Sequence, residues 1–138
     1  MRVVLDTNVL VSALLFGGAT GRIVSFWKRC LITALFSKDT FREFSSALRY
    51  PKFALTEREI RGLIEEEVLP FFEAVKVKEK INSVCNDPDD DKFLSCGIAG
   101  AAELIVTGDR HLLAVKEFRS VRIISPSEFF SLFPETFG

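Results

Sequence analysis

The first apolar run of the chain, Val3-Val4-Leu5, is short, β-branched in character and ends abruptly at Asp6. A run with no polar alternation predicts a strand covered on both faces. The pattern then turns helical over residues 8–16 and is closed by Gly17-Gly18. A second helix is predicted over residues 21–28, where Ile23, Val24 and Trp27 recur at helical spacing. Residues 31–36 read as the second strand. Ser37 is placed to cap a helix whose Phe41, Phe44, Ala47 and Leu48 form one inward stripe. Thr56-Glu57-Arg58-Glu59 has the spacing of a capping box and opens a helix that Pro70 follows. A third strand is predicted over residues 74–77. Asp87-Pro88 suits the cap and first turn of another helix. A fourth strand over residues 103–106 runs into Thr107-Gly108-Asp109, and a fifth occupies residues 121–124. Ser125-Pro126-Ser127-Glu128 is a second capping box, starting the last helix.

Apolar strands separated by helical segments imply an α/β fold, a three-layer α/β/α sandwich around a parallel sheet. No linker, repeat or low-complexity run interrupts the 138 residues, which read as one domain over 1–138. With 48% apolar residues the chain can bury a core without disulfides. The apolar stretch over residues 9–16 is too short to cross a bilayer, and the N-terminus meets an acid at once, unlike a signal peptide. A cytoplasmic protein is expected. Cys30, Cys85 and Cys96 are odd in number and widely spaced, which supports neither a disulfide framework nor a thiolate zinc site. They are expected as small apolar filler. The net charge of −1 gives no global attraction to nucleic acid, so any such contact needs a local basic surface or a bridging metal ion.

The chemistry lies in the acids. In parallel sheets of this kind, ligands bind beyond the carboxyl ends of the strands. Asp6 follows the first strand directly, and Asp109 follows the fourth through Thr107 and Gly108. Glu43 sits on the helix after the second strand, where it can lean over the same edge. In the run Asp87-Pro88-Asp89-Asp90-Asp91, capping and helix-dipole effects account for Asp87, Asp89 and Asp90, whereas Asp91 lies further in and can project towards the sheet edge. Carboxylates gathered at one edge repel one another, so a cation is expected among them. Oxygen ligands suit Mg²⁺ or Mn²⁺, and a single His with no paired Cys argues against Zn²⁺. An ion held this way can activate water against a phosphodiester.

Val3-Val4-Leu5-Asp6-Thr7-Asn8, then Glu43, then Asp91-Lys92-Phe93-Leu94, then Ile105-Val106-Thr107-Gly108-Asp109 together resemble the PIN domain family in order and spacing. Arg49-Tyr50-Pro51-Lys52-Phe53, Asp109-Arg110-His111-Leu112-Leu113 and Ile124-Ser125-Pro126-Ser127-Glu128-Phe129 are similar to a prokaryotic branch of VapC-like toxin components of toxin–antitoxin pairs. The resemblance implies a central five-stranded parallel sheet with the first and fourth strands adjacent. It also implies a ribonuclease that uses a divalent metal to cleave RNA. Asp6, Glu43, Asp91 and Asp109 fall on the family's acidic positions, as catalytic residues and metal ligands. Asn8 and Thr107 fall on supporting polar positions. The interval from Asp91 to Thr107 fits the family register better than that from Asp90, which is the second-choice ligand. An antitoxin partner and a homodimer or higher homo-oligomer are further implications. Phe53, Phe71, Phe72 and Phe137 are candidates for such contacts.

Arg22, Lys28, Arg29, Arg42, Arg49, Lys52, Lys92 and Arg110 are candidate phosphate contacts, with Lys92 and Arg110 favoured because each follows a proposed ligand. Lys76-Val77-Lys78 reads as an ordinary exposed strand edge. The alternative from another class is a non-catalytic PIN module that binds RNA or protein. A phosphorelay receiver is disfavoured by Thr7-Asn8 and Ser125-Pro126, and a dehalogenase-like phosphatase by Asn8 in place of a second Asp. Gly17-Gly18 comes a helix too late for dinucleotide binding.

Overall fold

The apolar runs pair with one another as β1 (Arg2–Leu5), β2 (Thr33–Phe36), β3 (Glu73–Ala74), β4 (Leu104–Val106), β5 (Glu117–Phe118) and β6 (Val121–Ile124). The strand order is β3-β2-β1-β4-β6-β5, parallel throughout except for the antiparallel β5–β6 pair at one edge. The helices are α1 (Thr7–Leu15), α2 (Gly18–Lys28), α3 (Lys38–Leu48), α4 (Glu57–Gly62), α5 (Asp91–Ala99), α6 (Arg110–Leu113) and α7 (Pro126–Ser131). The computed structural model describes residues 1–133, and Phe137 lies outside the described residues. Among the described residues no single helix is long and apolar enough to cross a membrane.

Strand residues alternate between two cores. Val3, Leu5, Ala34, Leu104 and Val106 face α1, α2, α3, α4 and α7, where Phe26 meets Phe129 and Phe133 at ring-centroid distances of 5.6 and 4.8 Å. Val4, Leu35, Ile105 and Ile123 face α5 and α6. Both faces are therefore dry, which is why the strands read as continuous apolar runs. Starting from β1 the chain winds outwards to β2 and β3, then returns to place β4 on the other side. The winding reverses between β1 and β4, and in sheets of this kind ligands bind beyond the carboxyl ends of the strands at that reversal, here called the crevice.

The helix starts follow local rules. Ser37, Thr56 and Ser125 each close a capping box with the residue three places on. The turn into α2 is made by Gly17 and Gly18, both at positive φ (64° and 63°), and α2 begins there rather than at Gly21.

Three expectations need correction. The sheet has six strands rather than five. The extra β5 joins β6 through Arg119 and Ser120, both at positive φ (55° and 112°), a tight turn made without the Gly or Asn that would announce it. The third strand is Glu73–Ala74 rather than residues 74–77. Its pairing ends with the Val75 amide on the Phe36 carbonyl, because β2 stops there to start α3, so Lys76-Val77-Lys78 is not a strand edge. Cys85 and Cys96 are buried filler, but Cys30 is exposed, at a turn of φ 60° after α2.

The end of α5 is packed tightly against the sheet. A methyl group at Gly100 would stand 2.6 Å from Leu35 Cδ1 and 3.1 Å from Val75 Cγ1, whereas one at Gly62 would meet nothing within 4 Å. Gly100→Ala is predicted to destabilise by about 1–3 kcal/mol through overpacking. Gly62→Ala, at a helical backbone position, is predicted to stabilise by about 0.5–1 kcal/mol. Urea unfolding of the two variants measures both signs, and equal effects would contradict the packing described.

Candidate metal centre

Two residues at the reversal of winding build the floor of the crevice. The Asp6 amide donates to the Val106 carbonyl at 3.1 Å, extending the β1–β4 pairing by one step. The Asp6 side chain then caps α1, with Oδ1 accepting from the Val9 amide at 2.8 Å. Its Oδ2 accepts from the hydroxyl of Thr107, which is fully buried at the end of β4. The same Thr107 Oγ1 accepts the Asp109 amide at 2.9 Å, and Asp109 caps α6 through His111 N at 2.7 Å. One hydroxyl therefore ties the two sheet-edge acids together. His111 contributes its backbone amide to this helix start.

Glu43 projects from α3 into the same region. Its Oε2 accepts from the Thr7 hydroxyl and its Oε1 from Lys92 Nζ at 2.9 Å. Burial works against the Lys92 ammonium, but the bond to Glu43 and the fields of Glu43, Asp89 and Asp39 outweigh it and hold the amine above its ordinary value.

Residues 87–91 form a 3-10 turn that leads into α5. Asp87 caps it through Asp89 N at 3.0 Å, as the Asp-Pro pair predicts. Asp90 and Asp91 are both buried, at 8% and 4% exposure, but they face different neighbours. Burial pushes the Asp90 carboxyl up to about 6, helped by repulsion from Asp109, Asp87, Asp6 and Glu43. Asp91 turns towards the loop before the helix, where Oδ1 accepts the Cys85 amide at 2.8 Å. Each has a buried Oδ2 without a hydrogen-bond partner. The family spacing selects Asp91, and both carboxyls lie buried at the start of α5.

Burial likewise raises the Asp6 carboxyl. The bonds from Thr107 and Val9 oppose the rise, and repulsion from Asp109 and Glu43 adds to it. The fold thus brings Asp6, Glu43, Asp90 and Asp109 within each other's fields. Among the described residues, no three His, Cys, Asp or Glu side chains converge on one point closely enough to hold an ion as they are posed. The donor set nevertheless fits a hard divalent cation: all oxygen, mutually repelling, with a buried Asp90 oxygen left unpartnered.

Asn8 is exposed and hydrogen-bonds to neither acid. It lines a shallow groove with Phe16, Lys52 and Phe53. Thr7, one residue earlier, does the supporting work towards Glu43. A hydroxyl at the first position of α1 was the available signal for it.

A doubly wound α/β chain with a carboxylate-lined crevice at its switch point is one defined class of protein. A family model for the PIN domain matches residues 2–111, and the chain belongs to that family. Its members are typically nucleases. The chain is 27% identical to the uncharacterized protein MJ1680 of Methanocaldococcus jannaschii over 96% of its own length and 92% of the relative's. Among solved structures it is similar to VapBC2 from Rickettsia felis bound to a DNA fragment from its promoter (TM-score 0.60, 14% identity, 91% of this chain and 98% of that one). It is also similar to FitAcB from Neisseria gonorrhoeae (TM-score 0.58, 16% identity, 91% and 98%). The PIN domain endonuclease Utp24 matches at TM-score 0.54 and 18% identity, over 90% and 84%. At these identities the structures share the fold.

A carboxyl raised to about 6 links the crevice to stability. An unfolded Asp titrates near 3.9, so between about pH 4 and 6 the folded protein holds a proton that the unfolded chain has released. This stabilising contribution is complete below pH 4 and is lost as the pH rises through 6. Melting temperatures in EDTA should therefore rise for Asp90→Asn relative to the parent protein between pH 4.5 and 6.5. Parallel profiles would contradict the coupling.

Proposed function

We propose that the chain is a divalent-metal-dependent endoribonuclease of the PIN type and the toxin half of a toxin–antitoxin pair. The observation that carries this reading is the gathering of carboxylates about the sheet's switch point, with Asp6 and Asp109 tied through Thr107 and the buried Oδ2 atoms of Asp90 and Asp91 both without a hydrogen-bond partner. Family membership supports nuclease chemistry, and the toxin–antitoxin complexes among the structural neighbours support the partner.

In this reading Asp6 and Asp109 are the fixed ligands of Mg²⁺ or Mn²⁺, because strand ends and helix caps already hold both in place. Thr107 is their positioning residue. Asp90 completes the set from α5, and Asp91 holds the loop at Cys85 and is the alternative ligand. Glu43 joins when its carboxylate swings away from Thr7 and Lys92, and Lys92 is then released to meet a phosphate oxygen. A divalent ion held by Asp6, Asp109 and Asp90 would supply an activated water and offset charge on the scissile phosphate.

A scaffold without catalysis is the second reading. It is favoured by one observation: both Glu43 oxygens are engaged and the acids do not close around one point.

Cleavage of a mixed panel of single-stranded and hairpin RNAs with Mn²⁺ or Mg²⁺, with EDTA controls, tests the proposal. Asp6→Asn and Asp109→Asn are predicted to lose activity by at least about 100-fold, on the order of 3 kcal/mol in the barrier, while remaining folded. Asp90→Asn should fall as far and Asp91→Asn less far; the reverse ranking would make Asp91 the third ligand. Undiminished cleavage by Asp6→Asn would refute the assignment. Failure to bind Mn²⁺ at millimolar concentration by calorimetry would favour the scaffold.

A further inference from the structure

Beside the acidic crevice the chain segregates its opposite charge. A groove of about 680 Å³ runs between the start of α3 and the segment after β3, and Lys38, Arg42, Lys76 and Lys80 stand along it. A neighbouring hollow of about 300 Å³ continues it past Lys80 to Lys92 and Asp91. Lys38, Arg42, Lys76 and Lys80 are all exposed, and among the described residues none has an ion-pair partner. The one cation with a partner is Lys92, and its partner is Glu43 of the acidic set. The acids along the same walls are Asp39 and Asp91, the latter buried and bonded to the Cys85 amide.

Elsewhere among the described residues Arg2 pairs with Glu73, Lys28 with Glu67, Arg49 with Glu57 and Arg119 with Glu79, while scattered surface cations such as Arg58, Arg61 and Lys116 stand without an ion pair but do not share a groove with Lys92. Four unanswered cations on one groove, ending where a lysine already holds a catalytic-site carboxylate, match a polyanion that must enter that crevice. Arg42 follows Lys38 by one helical turn on α3, so the two charges lie along the groove rather than across it.

We propose that this basic groove is a binding track for the phosphate backbone of a single-stranded RNA, leading the strand along Lys76, Lys38 and Arg42 and past Lys80 towards Lys92 and the acids. The inference deepens the nuclease reading and rests on it for the identity of the polyanion. Backbone contacts carry no sequence information, so the groove sets affinity and direction of entry rather than target choice.

The experiment uses a fluorescein-labelled 12-nucleotide RNA with 2′-O-methyl riboses, which resists cleavage, followed by anisotropy between 50 and 300 mM KCl in EDTA. The variant Arg42→Gln/Lys76→Gln/Lys80→Gln removes three groove charges and none of the acids. A control, Arg58→Gln/Arg61→Gln/Lys116→Gln, removes three exposed charges elsewhere. For single strands the slope of log K against log[salt] is about −0.7 per phosphate contact. The groove variant should flatten that slope by about 2 and weaken binding at least about 10-fold at 50 mM KCl. The control should stay within about twofold of the parent.

Groove and control variants losing affinity equally would overturn the track, as would tight binding of a labelled 12-residue poly-glutamate peptide, which would assign the groove to an acidic protein segment. Cleavage of unmodified RNA by the same proteins separates the two ideas. Metal-dependent cleavage with unaltered KM and salt dependence in the groove variant removes the track and leaves the nuclease. Groove-dependent RNA binding without cleavage in any metal removes the nuclease and leaves the track.

Discussion

The crevice depends on one hydroxyl. Thr107 donates to Asp6 and accepts from the amide of Asp109, so the side chain at the end of β4 fixes the acid at the end of β1 and the acid that starts α6. This is possible only in the observed register, with Leu5 opposite Val106 and the Asp6 amide on the Val106 carbonyl. A slip of one residue would turn Thr107 to the other face and separate the two carboxylates. The two apolar cores guard that register from both sides, since Val4 and Ile105 belong to one and Leu5 and Val106 to the other.

Around that fixed pair the remaining charges are compensated unequally. Asp6 and Asp109 receive backbone amides as helix caps, and Glu43 receives a hydroxyl and an ammonium. Asp90 has a buried oxygen with no partner and feels the charge of the other three. An uncompensated buried carboxylate is destabilising at neutral pH, so a fold that keeps one does so against its own stability. The arrangement is reasonable where a cation offsets the repulsion.

Much of this was legible in the chain. The apolar runs gave the parallel sheet, and the capping boxes at Ser125 and Thr56 gave helix starts to the residue, because caps and dry strands are local consequences of local sequence. The acids after β1 and β4 were visible for the same reason: an acid directly after a buried strand has few places to go. What could not be read was anything fixed by tertiary approach. Asp90 and Asp91 are adjacent, so which of them faces the other acids depends on how the first turn of α5 is rotated against the sheet. The hairpin at Arg119-Ser120 uses positive φ at residues that rarely adopt it, and the partners of Glu43 lie 36 and 49 residues away.

The near-neutral net charge conceals the most consequential feature of the surface. Fields of exposed charges fade within a Debye length, about 8–10 Å at ordinary ionic strength, so the total charge matters less than what lies close to the crevice. Here Asp6, Asp90 and Asp91 are buried and Glu43 and Asp109 half-buried near the switch point, while four cations without ion pairs among the described residues stand on the neighbouring groove. Lys92 stands on the border between them. Its ammonium offsets Glu43 while the crevice holds no phosphate, and its flexible stem lets it transfer to an incoming anion, which a rigid bidentate arginine would do less readily. In the proposed nuclease, entry of a polyanion and release of Glu43 would then be coupled through a single side chain, and the acid set would be complete only with a strand in place.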